Sequence, residues 1–527
     1  MSVPKDVSSG QTSRPDFGPQ PKPKAKRNKF AFLCAILASM SSVLLGYDTG
    51  VMSGAAIFIK DDFKLTDVQV EVLVGIINLY SLIGAAAAGR TSDLIGRRYT
   101  MVLAGAIFFV AAILMGLATN YGFLMFGRFV AGIGVGYALM IAPVYTTEVA
   151  PTSSRGFLTS FPEVFINFGV LLGYVSNYAF YKLPTRLGWR FMLGIGVFPS
   201  AFLILIVLVM PESPRWLVLQ GRLADAHRVL RRTSDSLDDA HHRLADIKQA
   251  AGIPPDYTDD VVLLPKRSRR GAGVWKDLFL RPTPPVRHIL ISAIGIHFFQ
   301  QASGIDAVVL YSPRIFDQAG ITSSGQKLLA TMAVGFSKTS FILVATFLLD
   351  KIGRRPLLLA SVSGKIASLT ALGFGLLIVN RTEGKARWAV GLCIAAVLSD
   401  VGFFSIGMGP IAWVYSSEIF PLKLRAQGAS VGVIVNRMTS GVVGMTFISL
   451  YKAITISGAF FLFAGIAAVS WLFFYFVLPE THGRSLEEIE GLFGNLLWKF
   501  YPKEKKESGD DAEKDKGEIE LGSNGVA

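Results

Sequence analysis

Twelve long apolar runs, each about as long as a helix must be to cross a lipid bilayer, dominate this sequence. A hydrocarbon core of about 30 Å calls for roughly 20 mostly apolar residues per helix. The runs begin near positions 29, 70, 100, 121, 157 and 189, and again near 286, 326, 356, 388, 423 and 455. With 51% hydrophobic and only 17% charged residues in a chain of 527, a soluble fold has no interior large enough for so much apolar surface. The expected fold is an all-α membrane protein with twelve transmembrane helices.

A polar stretch between the sixth and seventh runs divides the chain. The expected organisation is a disordered cytoplasmic N-terminus at 1–28, a six-helix bundle at 29–210, a cytoplasmic linker with intracellular helices at 211–285, a second six-helix bundle at 286–478, and a cytoplasmic C-terminal helix with a disordered tail at 479–527. Within the linker, the spacing of Ala, Leu and charge from Leu223 to Ala250 predicts an amphipathic helix. The net charge of +14 sits in short clusters between apolar runs rather than on one basic domain, so it reads as a topology signal and not as a nucleic-acid footprint. Arg90, Arg97, Arg98, Arg155, Arg215, Arg354, Arg355 and Arg425 share one face with the basic N-terminus, which places both tails in the cytoplasm. No removable signal peptide is apparent in the first 29 residues. Cys34 and Cys393 both lie in apolar runs, and neither a disulfide framework nor a metal site is expected of them.

The two halves repeat each other. Asp93 and Gly96-Arg97-Arg98 recur as Asp350 and Gly353-Arg354-Arg355; Glu148 with Arg155 recurs as Glu418 with Arg425; Pro211-Glu212 recurs as Pro479-Glu480. A repeat of an even number of spans keeps its orientation, so the halves are parallel repeats about an axis along the membrane normal. Such repeats build their binding site at the shared interface near the midplane.

GRTSDLIGRR (89 to 98), DKIGRRP (350 to 356), PESPRWL (211 to 217) and PETHGRSLEEIE (479 to 490) resemble the sugar porter branch of the major facilitator superfamily. The resemblance runs from Phe30 to about Phe493. SFPEVFINFG (160 to 169) and QQASGIDAVVLYSP (300 to 313) are similar to plant polyol and monosaccharide transporters that couple to protons. The resemblance implies the major facilitator fold and transport by alternating access.

On the basic face, acids and arginines from different helix ends can close a charge network when the halves meet. Glu148 and Glu418 are the acids, with Arg90, Arg97, Arg155, Arg354 and Arg425 as partners and Asp93 and Asp350 in the same motifs. Directional Arg–carboxylate pairs suit a lock that holds the outward-open state and releases in the other. The bland alternative is that these charges fix only topology and helix ends.

Six charges fall inside apolar runs: Asp48, Arg128, Glu163, Asp306, Lys338 and Arg437. At about 2.5 to 3.5 kcal/mol each, lipid-facing placement of all six would cost roughly 15 to 21 kcal/mol. They must therefore face a cavity or one another, and Lys338 and Arg437 also fit the reading of structural pairs. Gly46, Gly50, Gly132, Gly134 and Gly136 allow helices to approach closely. From the resemblance, Asp48 would carry the proton with Arg128 as its partner. The resemblance likewise points to Gln300, Gln301, Asp306, Asn436 and Trp413 as sugar contacts, with Tyr311 and Phe404 at pocket or gate positions.

Glu163, Asp306 and Lys338 depart from the amides usual in hexose porters. Carboxylates only accept and ammonium groups only donate, so Glu163, Asp306 and Lys338 are expected to read the rotating hydroxyls of polyols. No cofactor is expected, and the partners are a small polyol or sugar, protons and the bilayer, with no nucleic acid and a monomeric chain. The reading is a proton-coupled symporter of linear polyols, cyclitols or monosaccharides in the plasma membrane, or else the vacuolar membrane. Its rivals are a uniporter of the same solutes and a non-transporting sugar sensor, against which the short tail after Phe500 argues. An enzyme is least favoured, because no clustered nucleophile, base and orienting acid is visible. Asn380-Arg381-Thr382 is a sequon on a loop too short for ready glycosylation.

Overall fold

The computed structural model describes residues 28–151, 154–254, 261–262, 276–280, 282–382, 386–421, 424–481 and 492–493. The tails expected at 1–28 and 479–527 fall almost wholly outside them. Among the described residues, eleven helices are long and apolar enough to span a bilayer. Spans one to six are Lys29–Phe63, Asp67–Ile95, Arg97–Gly116, Tyr121–Val149, Phe157–Phe180 and Thr185–Val207. Spans eight to twelve are Ser324–Leu349, Arg354–Arg381, Arg387–Ser416, Gln427–Ile454 and Ile456–Val477. The seventh apolar run is broken into Pro284–Ala302 and Ile305–Gln318. Gly304 makes the break, at φ 84°, where a side chain would also collide with the Phe463 ring.

Local chemistry sets the helix ends. Asn28 caps span one by accepting from the backbone N–H of Phe30 and Ala31. Thr66 and Gln69 form a reciprocal capping box at the start of span two. Spans three and nine are capped from a distance: Glu212 accepts from the N–H groups of Arg97 (2.9 Å) and Arg98 (3.1 Å), and Glu480 from those of Arg354 (3.1 Å) and Arg355 (2.9 Å). Carboxylates at helix N-termini satisfy orphan donors and complement the helix dipole. Gly96 and Gly353 precede these spans at φ 93° and 97°, and a Cβ on Gly96 would lie 2.4 Å from a Glu212 oxygen.

Small residues draw the helices together. A Cβ on Gly46 or Gly50 of span one would strike the span-five backbone at Ile166 or Val170, and one on Gly136 would strike span two at Ser81. The halves meet where Gly75 of span two packs on Met445 of span eleven, and where Gly335 of span eight packs on Tyr174 of span five. The amphipathic segment expected from Leu223 to Ala250 is two helices, Leu223–Thr233 and Leu237–Ala251, because Ser236 starts a new one by capping Asp239. Arg243 donates to the last carbonyls of span four, Val149 and Ala150, so this unit is tied to the first half. Asn380 and Arg381 lie within span nine rather than on a loop.

Candidate functional site

Two polar constellations lie within the spans. The first is confined to the first half. Arg128 of span four donates through one nitrogen to both oxygens of Asp48 on span one, at 2.9 and 2.7 Å, and both residues are buried. Its other nitrogens donate to the carbonyls of Leu73 (3.1 Å) and Val74 (3.3 Å) on span two. A cavity of about 20 Å³ adjoins Asp48, walled by Leu44 and Val51 of span one, Phe108 of span three and Leu193 and Ser200 of span six. That is room for about one water molecule.

The second constellation straddles the boundary between the halves. Gln300, in the first piece of span seven, donates to the carbonyls of Met408 (3.0 Å) and Gly409 (2.9 Å) on span ten. Its oxygen accepts from Asn436 of span eleven at 2.6 Å. The Asn436 oxygen in turn accepts from Gln301 (3.3 Å) and Arg437 (2.6 Å), and Arg437 reaches Asn78 of span two at 3.3 Å. Asp306 accepts from the Ser440 hydroxyl. Glu163, Asp306, Lys338 and Arg437, from four different spans, lie close enough for their charges to act on one another. All four keep partly accessible surface. The buried oxygens of Gln301 and Asn167 have no hydrogen-bond partner among the described residues. A buried acceptor left without a donor is costly, so these two are suited to receive hydroxyl donors of a solute.

On the basic face the repeated motifs converge within each half. Arg97 forms a two-pronged pair with Glu148, at 2.9 and 3.1 Å, and also meets Asp93 at 3.2 Å. Ser213 donates to the same Glu148, and Tyr145 to the carbonyl of Pro211. In the second half Arg354 and Thr481 both donate to Glu418, at 3.0 Å each, and Tyr415 donates to the carbonyl of Pro479. Arg90 is exposed and joins no ion pair among the described residues. The side chains of Arg155, Asp350 and Arg425 lie outside the described part. On the opposite face Asp67 of span two is held by Lys60 of its own half (2.6 Å) and by Arg314 (3.4 Å) and Lys452 of the other. Glu71, one turn on, accepts from the backbone N–H (2.7 Å) and hydroxyl (2.6 Å) of Ser449 on span eleven.

A family profile described as "Sugar (and other) transporter" matches residues 34–493. The chain belongs to the sugar transporter family. "Putative polyol transporter 2" of Arabidopsis thaliana is 64% identical over 489 residues, covering 93% of this chain and 96% of that protein. "Polyol transporter 5" of the same plant is 64% identical over 504 residues, 96% of this chain and 93% of that protein. Among solved structures, the proton:xylose symporter XylE bound to 6-bromo-6-deoxy-D-glucose aligns with a TM-score of 0.73 at 26% identity, over 89% of this chain and all (100%) of that one. The inward open conformation of XylE from E. coli aligns with a TM-score of 0.71 at 25% identity, over 88% of this chain and 100% of that one. The twelve spans are the major facilitator fold of a multi-pass membrane protein, and the family is one of transporters rather than enzymes.

In this sugar transporter Gln300, Gln301, Asp306, Asn436, Glu163 and Lys338 are gathered at the boundary between the halves. Trp413 is half-buried, with its ring 5.0 Å from that of His297. Tyr311 is covered: it is 2% exposed and donates to the carbonyl of Gly444 at 2.6 Å. Phe404 is also covered, its ring lying beneath Lys365. Several residues escaped the sequence reading. Asn78, His297, Ser440 and Asn167 were legible only as polar residues in apolar runs. Lys365 and Asp400 form a further ion pair at 2.9 Å with neither residue exposed.

Proposed function

We propose that this sugar transporter is a proton-coupled symporter that moves polyols, and with them monosaccharides, across the plasma membrane by alternating access, as a monomer with its basic face in the cytoplasm. The observation that carries the proton is the buried Asp48–Arg128 pair, a titratable acid held apart from the solute groups and next to a cavity sized for water. The solute site is the amide chain Gln301–Asn436–Gln300, in which the Gln301 oxygen has no partner among the described residues, ringed by Glu163, Asp306 and Lys338 and flanked by Trp413. Amides give both donors and acceptors, and an aromatic face suits C–H contact, which together match a neutral polyhydroxylated solute. The relatives named as polyol transporters and the likeness to a proton:xylose symporter support the same reading.

The charge pairs support an assignment of state. At the face opposite the basic one, Asp67 and Glu71 bridge the two halves; at the basic face, Glu148 and Glu418 pair with arginines of their own half. That arrangement supports a carrier closed to the outside, in which the described cytoplasmic pairs lie within each half and pairing across the halves belongs to the outward-open state.

Uptake of labelled linear polyols, cyclitols and hexoses into cells lacking their own carriers, with and without a protonophore, tests the proposal. Polyol accumulation collapsed by the protonophore is the expected result. Insensitivity would make the chain a uniporter, and no uptake of any solute would remove the transport reading.

Selectivity offers a narrower test. Glu163→Gln and Asp306→Asn replace fixed acceptors with amides, so the ratio of polyol to hexose uptake should fall by about tenfold, the equivalent of one lost charge-assisted hydrogen bond. Overall activity should also fall, because Lys338 loses compensating charge. An unchanged ratio across the panel would show that these acids do not read the solute.

A further inference from the structure

Spans nine and ten hold an ion pair that the transport reading above leaves without a task. Lys365 donates to Asp400 at 2.9 Å, neither residue is exposed, and the second carboxylate oxygen of Asp400 is buried with no partner among the described residues. Buried pairs rarely stabilise a packed core more than apolar side chains of similar volume would, so their use lies in fixing one arrangement over others.

The arrangement here is a distorted turn. Span ten runs as an α-helix to Phe403, widens into a π-helical turn over Phe404–Met408, and resumes at Gly409. Such wide turns inside α-helices cluster at functional sites. The turn is braced against span nine at both ends by one hydroxyl: Ser361 donates to the carbonyl of Phe403 at 2.6 Å and accepts from the N–H of Met408 at 3.1 Å. Gly407 permits this contact, since a Cβ there would lie 2.5 Å from that of Ser361. One helical turn along span nine, the Lys365 ammonium reaches Asp400 and sits 5.4 Å from the centre of the Phe404 ring. At the far end of the turn, the carbonyls of Met408 and Gly409 hold the amide of Gln300.

We infer that Lys365 and Asp400, together with Ser361, are positioning residues for the solute site. They lock the π turn of span ten in register with span nine, and the turn aims two carbonyls that orient Gln300 and, through it, Asn436. The inference rests on Gln300 being a solute contact. Neither charge reaches the solute or carries the transported proton; both act through the backbone of span ten.

The test compares Lys365→Met/Asp400→Leu, which removes both charges while keeping volume, with Ser361→Ala and with Gln300→Ala, in polyol uptake by the full chain. The double variant and Ser361→Ala should each raise KM about tenfold, with the maximal rate per transporter at the membrane held within about twofold and the pH optimum unmoved. Lys365→Arg, which keeps the charge, should rescue KM relative to the double variant. If KM stays within about twofold of wild type in the double variant and in Ser361→Ala, the pair only fills space and the inference falls. A shifted pH optimum would make Asp400 a titrating group of the cycle and overturn it equally. Should the double variant fail to reach the membrane, Ser361→Ala decides the matter alone. If Gln300→Ala itself leaves KM unchanged, the solute-site reading fails first.

Discussion

Asp48→Asn should abolish accumulation of polyol against its gradient and the inward current that polyol evokes, while leaving downhill exchange measurable. A neutral solute gains nothing from the membrane potential. A proton moving with it brings about 2.3 kcal/mol per 100 mV, close to fifty-fold in accumulation. Both Asp48 oxygens meet one Arg128 nitrogen, while the remaining nitrogens are tied to carbonyls of span two. A shift of span two or four that draws Arg128 away would leave a buried carboxylate unmatched, and an unmatched buried acid takes up a proton. The adjoining cavity has room for about one water molecule beside that carboxylate. Asn keeps the shape and can still accept from Arg128, but it cannot exchange a proton. The solute groups, most of them in the other half, are untouched, which is why exchange should survive. Protonophore-sensitive accumulation by the Asp48→Asn variant would refute the assignment and turn attention to Glu163 and Asp306.

Much of this architecture was legible because a bilayer demands apolar runs of a minimum length, and twelve such runs leave few folds to choose from. The rule that failed was continuity. The seventh run has no charge or proline at Ser303-Gly304, so its break shows only where Phe463 crowds Gly304. Pro211-Glu212 and Pro479-Glu480 could be seen to repeat, but not to cap spans three and nine, since that role depends on a contact more than a hundred residues away in sequence. Mid-span charge singled out Asp48, Arg128, Glu163, Asp306, Lys338 and Arg437. Applied as strictly to spans nine and ten, the same argument finds Lys365 and Asp400. Tyr311 and Phe404 rest on the resemblance alone, and both side chains are covered.

The face opposite the basic one should open when Glu71 is lost. Glu71 is 1% exposed and accepts two hydrogen bonds from Ser449 across the boundary between the halves. Hydrogen bonds to a charged group contribute about 1.5 to 3 kcal/mol net. Asp67 is the weaker part of the latch, because of its two partners across the boundary Lys452 is more than half exposed (57%) and screened by water, and Arg314 stands off at 3.4 Å. Glu71→Ala should therefore shift the balance of states toward outward-open by about ten- to a hundredfold, and Asp67→Asn by less. Met445 packs against Gly75 where spans two and eleven touch, so Met445→Cys is a reporter that an impermeant maleimide reaches from outside more readily when the halves part. The two native cysteines are buried and can be replaced beforehand. Labelling should rise in Glu71→Ala and stay low in Glu148→Gln, whose pair lies on the basic face. Equal labelling of Glu71→Ala and its parent would mean that apolar packing between spans two and eleven, not the carboxylate, keeps the outside closed.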